Sequence, residues 1–271
     1  AATSRARLDA AREAARVGEW EQAIVAYESL REDPELSATA MLELGDLYFA
    51  DEQAMAAAAA WQIGLSRVEA GSDQEAAYRY RLGRGLAAAE QHEEAIEQWQ
   101  RVDELTESGD GALAQGLARS YEALGEEAQA AEQLTRVYEH EGSDRVSRAL
   151  SARQVGDYWA QEERWDEALL WYERTLELSQ VESFRAELIA RMAELALELD
   201  DGGYARNQWQ ILIEEYPTSP EALAAVRALE ARGVSTPLDQ LATQQYLGQD
   251  RCPTCASSFN PACSAHYDLY F

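Results

Sequence analysis

The chain has 271 residues, of which 46% are hydrophobic, so it is long enough to bury a continuous core. Its 50 acidic side chains against 23 basic ones leave a formal net charge of −27, which repels phosphate backbones and argues against nucleic acid as a partner. No run of about 18 apolar residues occurs, so we expect no membrane-spanning helix. With only 6 Pro and 16 Gly among many Ala, Leu, Glu and Gln residues, the composition favours an all-α fold.

An internal repeat runs along most of the chain. Anchor alanines recur every 34 to 38 residues, at Ala23, Ala57, Ala95, Ala130, Ala168 and Ala205. A large apolar residue follows each anchor by four positions: Tyr27, Trp61, Trp99, Leu134, Tyr172 and Trp209. A small residue precedes each anchor by twelve positions: Ala11, Gly45, Gly83, Ala118, Gly156 and Ala193. This spacing is helical throughout, and small residues allow two helices to approach closely, so the repeat predicts helical hairpins.

The pattern predicts six hairpins in chain order. The helix pairs are 3–17 with 21–33, 37–50 with 54–68, 74–90 with 93–105, 111–124 with 127–140, 146–162 with 166–179, and 184–199 with 203–215. Gly18 and Gly125 lie where first helices are expected to end. Ser219 and Pro220 are an N-cap and first-position pair that begins a helix at 220–231, and residues 238–249 resemble the first helix of a seventh hairpin.

The repeat positions resemble those of the tetratricopeptide repeat (TPR). The best matches are Leu44, Gly45, Tyr48, Ala57 and Trp61 in the second hairpin and Ala205, Trp209 and Pro217 in the sixth. The resemblance covers roughly residues 3 to 249. It implies a right-handed α-solenoid of about six hairpins plus a partial seventh over residues 1–249, with residues 250–271 as a separate tail. It also implies a scaffold that binds a protein or peptide partner on its concave face, and no enzyme.

A second resemblance concerns residues 216–222, 229–234 and 246–249, which are similar to the helical TPR region of bacterial soluble lytic transglycosylases. It implies an alternative function, the accessory helical region of a peptidoglycan-cleaving enzyme, and it favours the bacterial cell envelope or export over the cytoplasm. The family's catalytic domain has no counterpart in this sequence, and no catalytic residue is assigned. A third hypothesis is a structural subunit that self-associates through its C-terminal end.

The TPR resemblance also implies which residues contact the partner, because the first helix of each hairpin lines the concave surface in that family. By register these residues are Tyr80, Arg84, Gln115, Arg119, Glu122, Arg153 and Asp157. The three guanidinium groups are well suited to hold a carboxylate, such as a peptide C-terminus. The alternative for the same arginines is ion pairing between helices.

The tail contains all three cysteines of the chain. Cys252, Cys255, Cys263 and His266 form a C-x2-C-x7-C-x2-H pattern, whose ligand types suit tetrahedral zinc. One disulfide plus a free thiol fits the same residues, as does a tail that is not evolved structure, since its composition changes abruptly. No other cofactor is expected, because no phosphate-binding, dinucleotide-binding, nucleophile or metalloprotease motif occurs.

The tryptophans supply a last expectation about the core. Six of the seven occupy repeat positions and are expected to pack inside: Trp20, Trp61, Trp99, Trp159, Trp165 and Trp209. Trp171, beside the core position Tyr172, has the strongest claim of the seven to an exposed position.

Overall fold

A computed structural model describes residues 2–106 and 111–233 of the chain. This described part contains thirteen α-helices and no strand. The helices are α1 Ala2–Val17, α2 Trp20–Glu28, α3 Ser37–Ala50, α4 Ala54–Leu65, α5 Asp73–Ala88, α6 His92–Leu105, α7 Gly111–Ala123, α8 Glu127–Glu139, α9 Arg145–Gln161, α10 Trp165–Leu178, α11 Glu182–Glu198, α12 Gly202–Glu215 and α13 Pro220–Glu230. None of these helices is both long and apolar enough to cross a membrane.

The helices form the six predicted hairpins, which confirms the all-α repeat architecture. Internal contacts divide the chain into two units, Ala1–Leu178 and the residues from Ser179 onward. In the first unit, α1 to α10 make five hairpins, and each helix packs against the next along the chain. In the second unit, α11 and α12 form the sixth hairpin, and α13 packs against both. The partial seventh hairpin predicted at 238–249 and the tail from 250 lie outside the described residues.

The anchor alanines form the centre of every hairpin. Each is at most 2% exposed, which leaves no room for a larger side chain where the two helices meet. The large residues four positions later are buried as well, between 0% and 6% exposed. The sequence register of the repeat is therefore the packing register of the core.

Tryptophan rings are held between glycines of consecutive hairpins. A Cβ atom at Gly45 would overlap the indole of Trp61, and one at Gly85 in the next hairpin would lie 2.9 Å from the same ring. Trp99 repeats the arrangement, because a Cβ at Gly83 would lie 2.5 Å from its Nε1 and one at Gly116 2.9 Å from its Cη2. We call these two arrangements the glycine slots. They fix the distance between successive hairpins by the thickness of an aromatic ring.

Each slot also satisfies the polar atom of its tryptophan. Nε1 of Trp61 donates a hydrogen bond of 3.2 Å to the carbonyl of Leu42, and Nε1 of Trp99 donates one of 3.1 Å to that of Tyr80. A buried indole N–H without an acceptor would be costly, so the repeated bond favours one ring orientation. Of the other tryptophans expected in the core, Trp209 is buried and Trp20, Trp159 and Trp165 are half-buried.

The expected exposure of Trp171 is wrong. Its side chain is only 7% exposed and packs with Ala118 and Leu134 of the fourth hairpin. Its ring also meets that of Tyr138 edge-on, with centroids 5.2 Å apart. Adjacent residues of a helix point about 100° apart, so while Tyr172 fills its own hairpin Trp171 still faces the preceding one. In a stacked repeat a second helix therefore has two buried faces.

The same turn joins the two helices of all six hairpins. One residue adopts a left-handed conformation, with φ between 58° and 83°, and the next N–H bonds back to the carbonyl five residues earlier at 2.8–2.9 Å. This is the Schellman arrangement of helix ends. The left-handed residues are Gly18, Glu52, Glu90, Gly125, Glu163 and Asp200. Only two are glycine, so the other four hairpins keep a strained backbone at this turn.

Two helix ends show how local side chains set the boundaries. The prediction for Ser219 and Pro220 is confirmed, because Oγ of Ser219 accepts a hydrogen bond from the N–H of Ala222 at the start of α13. The second helix of the first hairpin ends at Glu28 rather than at residue 33. Its continuation is replaced by a turn in which Oδ1 of Asp33 accepts from the N–H groups of Glu35 and Leu36. An aspartate that bonds the backbone ahead of it favours a turn over a helix.

The glycine slots make Gly83 a sensitive position. Replacing Gly83 by Leu should lower the free energy of unfolding by about 1–3 kcal/mol, the usual cost of overpacking, because the side chain would have to displace the ring of Trp99. Chemical denaturation followed by circular dichroism measures the change. Gln74→Leu, at an exposed position of the same helix, is the control and should unfold like the wild type. An unchanged midpoint for the Gly83 variant would contradict the packing of Trp99 described above.

The shared turn predicts opposite effects at two equivalent positions. Gly125→Ala should destabilise the protein by about 1 kcal/mol, since a Cβ atom is unfavourable at φ 73°. Glu90→Gly, at φ 61°, should raise the free energy of unfolding, because it removes the same strain. Denaturation curves of the two variants measured side by side check the prediction, and a shift of both in the same direction would refute it.

Candidate functional site

Side chains of consecutive first helices meet in a regular series of contacts. Each contact joins two positions of the repeat. One is the residue directly after the small repeat residue of a hairpin, and the other is the residue two places before the small repeat residue of the next hairpin. Thus Arg12 of α1 binds Glu43 of α3, with 2.5 Å between Nη2 and Oε1. Asp46 of α3 binds Arg81 of α5, with 2.9 Å between Oδ1 and Nε. Ion pairs across hairpins therefore join the first three first helices.

The series changes at the third and fourth hairpins. Arg84 directly follows Gly83, and the residue that faces it on α7 by register is Gly116, which has no side chain with which to form an ion pair. Arg119 holds the next position, and the residue opposite by register is the neutral Gln154. Within the described parts of the chain neither Arg84 nor Arg119 forms an ion pair. We call the exposed surface of α5, α7 and α9 that carries Arg84, Arg119, Glu122, Gln154 and Asp157 the first-helix face.

Arg84 is fixed by stacking rather than by charge pairing. Its guanidinium carbon lies 4.7 Å from the ring centroid of Phe49, which belongs to the preceding hairpin, and the residue remains exposed. A stacked guanidinium keeps the N–H groups along its edge available for a planar acceptor such as a carboxylate. Arg84 is thus positioned in advance, which lowers the entropy lost on binding.

Tyr80 and Gln115 lie half-buried, one turn before Arg84 and Arg119. The ring of Tyr80 packs against the buried cluster that contains Trp99 and Leu117, so its contact with a partner is limited to what remains exposed. These two residues therefore border the arginines and belong partly to the core.

Arg153 and Asp157 contact each other instead of presenting separate charges. Nε of Arg153 lies 3.6 Å from Oδ2 of Asp157, one helical turn along α9. Oδ1 of Asp157 accepts a hydrogen bond of 2.6 Å from the hydroxyl of Tyr172. The predicted row of three arginines is therefore not uniform: Arg153 lies close to a carboxylate of its own helix, whereas Arg84 and Arg119 form no ion pair among the described residues.

A cleft of about 190 Å³ opens beside these residues between α7, α8 and α9. Its apolar floor is formed by α8 and its polar rim by the other two helices and the first turn of α8. The lining residues are Glu122, Glu127, Ala130, Ala131, Leu134, Gln154, Asp157, Tyr158 and Gln161. Two of the residues predicted from the sequence, Glu122 and Asp157, line this cleft. Glu127 and Tyr158 were not predicted, since only the packing of the fifth hairpin on the fourth brings them together.

Glu122 is the electrostatically perturbed group of the cleft. Its Oε1 accepts a hydrogen bond of 3.0 Å from Nε2 of Gln154, which joins α7 to α9. Burial raises the pKa of Glu122 above its ordinary value, and the positive charge of Arg119 one turn away opposes part of that rise. Glu122 as a residue stays exposed, so this burial is partial, and it affects the pKa of the carboxyl group more than the nearby Arg119 does.

The zinc ligands predicted at Cys252, Cys255, Cys263 and His266 lie outside the described residues. In the part of the chain that the structure covers, no group of three or more His, Cys, Asp or Glu side chains is arranged to hold a metal ion. The buried carboxylate Glu75 instead binds groups near it in the chain, at the start of the third hairpin. It binds Arg79 at 2.6 Å and the backbone N–H of Gly71 at 2.6 Å, and these bonds lower its pKa.

Comparison with solved structures identifies the type of fold. Two structures of MamA align over 62% and 65% of this chain and 93% and 91% of theirs, with 21% and 19% identity and TM-scores of 0.52 and 0.54. YrrB, a TPR protein with an unusual peptide-binding site, aligns over 64% of this chain and 84% of its own, with 24% identity and a TM-score of 0.51. At such identities the likeness concerns the fold. No protein-family model matches the sequence, and no curated protein matches it.

The repeat register and these structural likenesses show that the chain has the helical-hairpin repeat fold found in TPR proteins. The sequence resemblance to TPR hairpins is thereby confirmed.

The raised pKa of Glu122 predicts a pH-dependent effect of Glu122→Gln on stability. A carboxyl group whose pKa is higher in the folded state binds its proton more tightly there, so it favours folding as the pH falls through that pKa. At pH 7 the ionised group opposes folding, and the glutamine variant, which keeps the acceptor for Gln154, should unfold at a higher temperature. At about pH 4 the two proteins should unfold alike. Thermal melts at both pH values test this, with the exposed Glu132→Gln on α8 as the charge-matched control.

Proposed function

We propose that this protein is a scaffold that binds a protein or peptide partner on the first-helix face, where Arg84 and Arg119 hold a carboxylate of the partner. The observation that carries the proposal is the change in the series of contacts between first helices. At the corresponding positions of the first two hairpins, Arg12 is neutralised by Glu43 and Asp46 by Arg81 of the next hairpin. Arg84 and Arg119 meet a glycine and a glutamine instead.

The net charge of the chain explains why arginines without an ion pair matter for binding an anionic partner. At −27 the overall field repels anions, so an anionic partner has to be held by a local group of guanidinium N–H donors. Bonds from guanidinium to carboxylate are charge-assisted and about twice as strong as neutral ones. The two arginines occupy equivalent positions on α5 and α7, which suits an extended segment that crosses successive first helices. A C-terminal carboxylate and an acidic side chain offer the same chemistry here.

The two other functions suggested by the sequence are an accessory role beside a peptidoglycan-cleaving domain and self-assembly into a larger structure. Neither of them requires arginines on the first-helix face that form no ion pair within the described residues. We therefore place both behind peptide binding. An accessory helical region with such a site would also bind a protein, so peptide binding is compatible with an accessory role beside a peptidoglycan-cleaving domain.

Replacement of Arg84 and Arg119 together by alanine should weaken peptide binding by about tenfold or more, because two charge-assisted contacts are lost. The probe is a set of peptides selected on the full-length chain from a random library with free C-termini, and the affinities are measured by calorimetric titration. Arg5→Ala with Arg7→Ala removes the same charge from exposed positions of α1 and is the control, which should bind like the wild type. Helical content of both variants should be unchanged.

Amidation of the selected peptide separates the two sources of the carboxylate. If the C-terminus is held, amidation weakens binding as much as the arginine substitutions do; if an acidic side chain is held, amidation has no effect and its replacement by an amide does. Selection of peptides whose affinity is the same for the wild type and the double arginine variant would overturn the proposal. Tighter binding by that variant would show that the face prefers cationic partners.

A further inference from the structure

The cleft next to Arg119 has two kinds of wall. Ala130, Ala131 and Leu134 of α8 provide an apolar floor, and each of them is almost fully buried. The carboxylates of Glu122, Glu127 and Asp157 stand around this floor on three different helices, with the amides of Gln154 and Gln161 between them. An apolar floor with an anionic rim is complementary to a long aliphatic stem that ends in a cation.

We propose that this cleft binds a lysine or arginine side chain of the peptide that the first-helix face holds. The inference rests on the proposed peptide-binding function and adds to it a second point of recognition. The stem of the basic side chain lies on Ala130, Ala131 and Leu134, and its cation reaches the carboxylates at the rim.

The size of the cleft favours a single side chain. Pockets for drug-sized ligands measure about 300–1,000 Å³, and an engineered cavity of about 150 Å³ is enough for benzene. At about 190 Å³ the cleft is too small for a typical free metabolite and large enough for one long side chain. This argues for a part of a protein partner rather than for a separate small molecule.

The charges of the cleft indicate the sign of that side chain. Among the described residues neither Glu122 nor Glu127 forms an ion pair, and Glu122 has only the amide of Gln154 as a hydrogen-bond donor. Partial burial already disfavours the negative charge of Glu122, and a cation bound in the cleft would stabilise that charge. Asp157 already has Arg153 at 3.6 Å, so the carboxylates that would repel an anionic group in the cleft are those of Glu122 and Glu127.

The cleft also lies beside Arg119, one of the two arginines proposed to bind a carboxylate. Glu122 follows Arg119 by three residues on α7, which places the two on the same side of that helix. A peptide that fits both sites therefore carries a carboxylate and a basic side chain close together. This pairing of opposite charges gives specificity, because a purely acidic or purely basic segment would satisfy one site and be repelled at the other.

A double-mutant cycle tests the cleft with the peptides selected on the full-length chain. One arm replaces the basic residue of the peptide by norleucine, which keeps the stem and removes the charge, and the other arm is Glu122→Gln. Each single change should weaken binding by about tenfold at pH 7, and the two together should cost little more than one alone, since they remove the same contact. Glu132→Gln, at an exposed position of α8 outside the cleft, should show no such coupling.

The pH dependence provides a second readout. A cation stabilises the ionised form of Glu122, so affinity for the basic peptide should rise as the pH increases from about 4 to 7, and this rise should be smaller for Glu122→Gln. The norleucine peptide should show the smaller dependence with both proteins. Melting curves of the variant confirm that it is folded before the titrations are interpreted.

The outcomes distinguish this inference from the function on which it rests. If the arginine double variant weakens binding but the peptide and Glu122→Gln show no coupling, the carboxylate site stands and the cleft proposal is overturned. Selected peptides without any basic residue would overturn it as well. If Glu122→Gln couples to the basic residue while the arginine variant has no effect, the cleft proposal stands and the proposed role of Arg84 and Arg119 is wrong.

Discussion

Close packing of an aromatic ring between glycines of neighbouring hairpins is the constraint on which the first unit depends. Trp61 lies between Gly45 and Gly85, and a Cβ atom on either glycine would press on its ring. Such contacts couple each hairpin to the next, because half of the pocket for each ring belongs to a neighbour. A hairpin alone could not bury these rings, which is why repeat proteins of this kind gain stability by stacking. The same contacts hold the first helices at a fixed spacing on their exposed side.

That fixed spacing determines which charged side chains of neighbouring first helices can form ion pairs. Where arginine and carboxylate face each other across hairpins, as Arg12 faces Glu43, they neutralise each other and support the stack. At the position facing Arg84 the chain has Gly116 instead of a carboxylate residue, because the ring of Trp99 occupies the space of a side chain. The requirement of the core for a glycine thus leaves Arg84 opposite no carboxylate. Packing and the proposed recognition of a partner are linked through this one position.

The proposed surface combines opposite charges within one turn of α7. Arg119 is adjacent to Glu122, and the cleft that Glu122 lines is bounded by residues of three helices. A strongly acidic protein repels acidic segments in general, so selective binding requires local cations, and a basic side chain of the same partner would meet attractive charge in the cleft. The surface therefore suits a partner of mixed charge, for which long-range repulsion is weak and short-range contacts decide.

The sequence by itself determined the period, the helix pairs and the core positions, because small and aromatic residues at helical spacing leave one face on which two helices can pack. It did not reveal the left-handed residues at Glu52, Glu90 and Glu163, since the Schellman geometry imposes that conformation on whatever residue stands there. Nor did it place Trp171 correctly. Periodicity describes the faces of a single helix. The burial of Trp171, the absence of a carboxylate opposite Arg84 and the cleft all depend on how one hairpin packs on the next. Only the tertiary structure decided those contacts between hairpins.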